Sequence, residues 1–137
     1  MDIPFVVLLI EPEDLEFELL EQRIRFAGLT CRMGRIRAVD NLAATLSELK
    51  PNVIVCEFQM PDFFGLEVLR ACRSISPDVP FIFIADRPRQ FDIDVVKRLG
   101  AMALVDRADR DELPVALRRA VNIALEKSTY RSFRASA

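Results

Sequence analysis

The sequence predicts an α/β fold, a five-stranded parallel sheet with helices packed on both faces. Short apolar runs alternate with amphipathic helical segments along the whole chain, and the connections between them are brief. The first run, Phe5 to Ile10, is six consecutive apolar residues, as a central parallel strand covered on both sides requires.

The elements follow in order. Asp14 to Ala27 carries Leu15, Leu19, Leu20, Ile24 and Phe26 among charged residues, an amphipathic helix that Gly28 ends. Leu29 to Arg35 is a more polar strand and is expected at the sheet edge. Val39 to Leu49 aligns Leu42, Leu46 and Leu49 as a second helix. Asn52 to Glu57 is the third strand and Gly65 to Ser74 the third helix. Pro80 to Ala85, rich in aromatic and β-branched residues, is the fourth strand. Asp92 to Leu99 is a short helix closed by Gly100, and Ala103 to Val105 a brief fifth strand. Asp111 to Glu126 is the last helix, with Pro114 tolerated in its first turn.

Five such pairs with right-handed crossovers give the flavodoxin-like strand order 2-1-3-4-5. The functional crevice then lies at the carboxyl ends of the strands, where Glu11, Glu57, Ala85 and Asp106-Arg107 fall. The folded domain is expected over residues 1–126. From Lys127 the chain turns polar and loses helical patterning, so 127–137 reads as a disordered tail or the start of a linker to a further domain.

Composition narrows the function. The 137 residues are 51% hydrophobic and 29% charged, which is globular, and the net charge of −2 has no long block of one sign to engage nucleic acid. No apolar run approaches the roughly 20 residues of a membrane span. The N-terminus, Met1 to Pro4, lacks a secretory pattern, so a cytoplasmic location is expected. Cys31, Cys56 and Cys72 are irregularly spaced and are expected as free thiols. Histidine is absent, which removes the commonest general base and the commonest transition-metal ligand. No enzymatic activity is expected.

The most informative stretch runs from Val53 to Leu69. An apolar strand leads into Glu57, then Met60-Pro61, then Asp62-Phe63-Phe64-Gly65 opening a helix. It resembles the segment around the phosphorylated aspartate of bacterial two-component receiver domains, with Glu57 where that family has Asp. Val7 to Glu13, Pro80 to Ala85 and Gly100 to Leu104 are similar to other receiver landmarks in order and spacing.

The resemblance implies a five-group chemistry: a nucleophilic Asp, two acids after the first strand that bind Mg²⁺, a Ser or Thr after the fourth strand, and a Lys after the fifth. Carboxylates hold a hard dication, and the ion and the ammonium offset charge developing on phosphorus. In this chain Glu11 fits one metal position, but Pro12, with no ligand atom, occupies the second, and Glu13 stands one residue too far along. Ala85 takes the hydroxyl position and Arg107 the lysine position, keeping charge without the compact ammonium. Leu104 takes the place of the family's switch aromatic. Such positions imply that ordinary phosphoacceptor activity is lost and that Mg²⁺ binding is impaired, with no other cofactor expected.

Three readings of Glu57 stay open: a permanent mimic of the charged state paired with Arg107, a relic in an inert scaffold, or residual Mg²⁺-dependent phosphorylation as a working receiver with an unusual acceptor. Glu11, Glu13, Asp14, Asp86 and Asp106 could converge on one rim, or serve only as helix-start acids. An uncompensated cluster would draw in Arg107 or raise a carboxyl pKa. Phe63 and Phe64 flank the crevice, and Arg87 to Gln90 form a basic loop. A phosphate-bearing cofactor such as a flavin is disfavoured by the acidic turn Glu11 to Asp14. The expected partners are proteins: a downstream output domain in the same chain, a separate partner, or a second copy through helix 4, strand 5 and helix 5. Val95, Leu104 and the outer side of helix 5 are the surface candidates there.

Overall fold

The computed structural model describes residues 5–60, 64–109 and 111–136, with residues 128–136 as backbone only. Strands β1 (Phe5–Ile10), β2 (Cys31–Ile36), β3 (Val53–Glu57), β4 (Phe81–Ala85) and β5 (Ala103–Asp106) form one parallel sheet in the order β2-β1-β3-β4-β5. Helices α1 (Asp14–Phe26) and α5 (Glu112–Ser136) bear on one face, and α2 (Leu42–Leu49), α3 (Gly65–Ile75) and α4 (Gln90–Arg98) on the other. The predicted class and strand order are those observed.

The strand pleat divides the core in two. Leu8, Ile10, Ile54, Cys56, Phe81 and Phe83 point toward α2, α3 and α4, while Val7, Leu9, Val55, Ile82 and Ile84 point toward α1 and α5. Consecutive residues of β3 and β4 are therefore all buried, which is why those strands read as unbroken apolar runs. β2 pairs on one side only, and its mostly half-buried residues explain its polar sequence.

Two glycines place the loops. Gly65 opens α3 so close to β3 and β4 that a Cβ there would lie 2.8 Å from both the Phe58 carbonyl oxygen and the Phe83 ring. Gly100, at φ +104°, turns the chain from α4 toward β5 in a conformation costly for other residues.

Several boundaries differ from the sequence reading. α2 begins at Leu42 rather than Val39, and β5 extends to Asp106. α5 does not stop at residue 126. Its backbone stays helical to Ser136, through the stretch read as a disordered tail or the start of a linker. No glycine or proline falls between 115 and 137 to break it, and polarity alone does not end a helix. Leu104, expected as a surface candidate, is 2% exposed and belongs to the core beside Phe81 and Phe83, because a β5 side chain facing α4 is covered. Val95 is half-buried.

Candidate functional site

The carboxyl ends of β1, β3, β4 and β5 come together over a cavity of about 360 Å³. The sheet register brings this about: Ile10 pairs with Cys56, Glu57 with Ile84 and Ala85 with Asp106, so the next residues of each strand share one rim. Glu11, Glu13, Glu16, Glu57 and Asp86 line it, with Arg107 as the guanidinium among them.

Arg107 organises the site. Its Nε donates to Asp86 Oδ1 at 2.9 Å and its Nη1 to Glu16 Oε2 at 2.9 Å, while Nη2 donates in close contact to Glu57 Oε2. Each nitrogen thus serves a different carboxylate. The backbone is held as well: Arg107 N–H donates to the Ala85 carbonyl at 2.9 Å, and the Arg107 carbonyl accepts from Arg23 Nη1 at 2.8 Å. Asp106 shapes the turn, its Oδ1 accepting from the Ala108 N–H at 2.9 Å.

Glu57 is 9% exposed, and its second oxygen accepts a long bond of 3.4 Å from the Gln59 N–H. Burial raises its pKa to about 7, opposed by Arg107 and the Gln59 amide and reinforced by Asp86 and Glu16. Glu11 is 2% exposed. Its carbonyl accepts from Arg35 Nε and Nη2, but its side-chain Oε2 has no partner among the described residues. Burial first, then the charge of Glu57, raises the Glu11 pKa to about 7, with Arg107 opposing. A carboxylate cluster short of positive charge holds protons that its members would otherwise lose.

Not every expected acid reaches this rim. Asp14 turns away to pair with Arg35 and Arg37, each at 2.8 Å, and Asp106 is spent on its own turn. Glu16 joins instead. It stands three residues beyond Glu13 on α1, a helical spacing that puts both on one face and that could have identified it. Phe64 is 75% exposed, and Phe58 packs edge-on against Phe83 at 5.3 Å. Pro61, Asp62 and Phe63 lie outside the described residues, as do Met1 to Pro4. Of the basic loop, Gln90 belongs to α4 and the Arg89 N–H donates to Asp92 at the helix start. Cys56 and Cys72 are buried free thiols, and Cys31 is a half-buried one.

The residues at this rim do not suit Mg²⁺. That ion demands near-octahedral oxygen coordination. Arg107 occupies the carboxylates of Glu16, Glu57 and Asp86, Pro12 offers no ligand atom, and Glu11 carries a raised pKa. Among the described residues no group of three or more acids or thiols is arranged to hold a metal ion.

The chain is similar to the sensory transduction protein BceR of Halalkalibacterium halodurans, at 24% identity over 134 residues, covering 94% of this chain and 57% of that protein. The chain thus spans little more than half that relative's length. Its fold matches a response regulator receiver domain protein from Clostridium thermocellum, with a TM-score of 0.76 at 16% identity, covering 88% of this chain and 96% of that one. It also matches a two-component transcriptional regulator AraC from Clostridium phytofermentans, with a TM-score of 0.76 at 20% identity, covering 92% and 98%. Residues 7–118 match the family described as the response regulator receiver domain, and with most of the chain inside that match the protein belongs to this family.

Proposed function

We propose that this chain is a degenerate receiver domain, which signals through protein contacts and does not take up a phosphoryl group at Glu57. The observation that carries the reading is the three-carboxylate grip of Arg107. Phosphoryl transfer to a carboxylate needs a free nucleophilic oxygen, a cation on the phosphate and donors that stabilise its equatorial oxygens. Glu57 Oε2 is engaged by Arg107, which holds that oxygen away from an incoming phosphoryl group. Ala85, at the position the resemblance gives to the hydroxyl, offers no donor. Arg107, in the lysine position, already has each of its three nitrogens bonded to a carboxylate. The pair of Glu57 and Arg107 supplies from within the chain the opposite charges that a phosphoryl group and its counter-ion would bring.

The partners on this reading are proteins: a separate signalling protein, or an output domain in the same chain to which residues 127–137 would lead. No helix among the described residues is long and apolar enough to cross a membrane. The domain is read as a regulator rather than an enzyme.

Incubation with acetyl phosphate and Mg²⁺ followed by intact mass tests the reading, with Glu57→Asp and Glu57→Gln as companions. No adduct is expected on the parent. A Mg²⁺-dependent adduct that disappears in Glu57→Gln would instead make this a working receiver with an unusual acceptor.

A further inference from the structure

Helix α1 is apolar on two opposite sides, and the sheet uses only one of them. Leu20 and Ile24 are buried, with Phe17 packed beside them. On the other side Leu15, Leu19 and Phe26 are 66%, 46% and 88% exposed. Leu15 and Phe26 are eleven residues apart, about three full turns, so they lie almost on one line with Leu19 and Gln22 between them. A second apolar stripe on a surface helix has no role in folding the monomer.

The charges beside the stripe say what covers it. The first half of α1 is acidic, with Glu18 exposed and without an ion-pair partner among the described residues. The second half is basic. Arg25 is 65% exposed and among the described residues pairs only with Glu21, at 3.7 Å, while Arg118 of α5 adds charge by donating to the Ala27 carbonyl. Asp14 is compensated by Arg35 and Arg37, and Arg23 is turned inward to the Arg107 carbonyl. Running the helix antiparallel to a copy of itself sets Leu15 against Phe26, Leu19 against Gln22, and Glu18 beside Arg25, each contact occurring twice.

We infer that α1 is a self-association surface, on which a second copy of this chain docks its own α1 antiparallel about a two-fold axis. Such an interface is isologous, so the sequence of one helix has to be complementary to its own reverse. The acid-to-base gradient and the placing of Leu15 and Phe26 at the two ends meet that requirement. The face formed by α4, β5 and α5, where family resemblance puts a homodimer, also exposes apolar side chains, Phe91 and Leu99 at the two ends of α4 and Val115 and Leu125 on α5, and is the competing surface that the experiment has to separate from α1. The inference is independent of how Glu57 behaves.

Sedimentation of the full chain from about 5 to about 500 µM is expected to show a monomer passing to a dimer. Phe26→Glu and Leu19→Glu should each weaken association at least about tenfold. Glu18→Arg alone should also weaken it, and Glu18→Arg combined with Arg25→Glu should restore it, because a double reversal keeps the helix complementary to itself. A monomer at every concentration overturns the inference. A dimer indifferent to Phe26→Glu overturns it too, as does one abolished by Phe91→Ser, or a double reversal no better than the single. All these side chains are exposed, and an unchanged thermal midpoint in dilute solution confirms that each variant is folded.

Discussion

Arg107 is the residue on which the rim depends, since a planar guanidinium can serve three acids where an ammonium acts as one compact charge. Removing it leaves Glu57 buried and uncompensated, so Arg107→Ala should lower stability by about 2–4 kcal/mol at pH 8. Arg107→Lys should cost about half as much, and urea unfolding measures both. Glu11 makes a prediction of opposite sign. Its folded pKa is raised from 4.5 to about 7, so between those values the native state binds more protons than the unfolded chain. The stability this contributes is fully present below pH 4.5 and is lost as pH rises through 7. Glu57 acts in the same direction. Glu11→Gln, which cannot ionise, should therefore flatten the stability profile across this window and raise the thermal midpoint at pH 8 by on the order of 5 °C. A profile as steep as the parent's would show that Glu11 ionises freely.

At the scale of the element, the tightest packing is where α3 starts. Gly65→Ala would drive a methyl group against the Phe58 carbonyl and the Phe83 ring, neither of which can retreat from the sheet. A loss of about 1–3 kcal/mol is expected in chemical denaturation, with the spectrum of a folded protein retained. The elements differ in how plainly the sequence announces them. β1, β3 and β4 are legible because a strand covered on both faces has to be apolar throughout. The start of α2 is not, because Val39 packs against the same core as Leu42 while its backbone still belongs to the bend that follows β2. The end of α5 is not legible either, since its polar side chains are compatible with solvent in either helix or coil.

For the whole molecule, scaffold and chemistry separate. The strand order follows from alternation and handedness alone, and it brings Glu11, Glu57, Ala85 and Arg107 to one rim without any side chain being special. What alternation cannot show is which acids are already taken. Asp14 and Asp106 look like Glu11 in sequence, and only the positions of Arg35, Arg37 and the Ala108 amide remove them from the cluster. If the scaffold is sound and only its chemistry is altered, restoring the groups should restore the reaction. A chain carrying Pro12→Asp, Glu57→Asp, Ala85→Thr and Arg107→Lys is expected to gain a Mg²⁺-dependent adduct from acetyl phosphate, whereas Glu57→Asp alone is not. Intact mass distinguishes the two.

The grip of Arg107 on Glu57 also bears on how such a domain is controlled. A phosphoryl group arrives and leaves on the schedule of other enzymes, so one protein copy can report many events in its lifetime. A charge pair encoded in the chain is present from folding to degradation and keeps no record of recent history. On the reading proposed above, the strength of the signal is then the number of copies in the cell, set by synthesis and proteolysis rather than by the occupancy of a site.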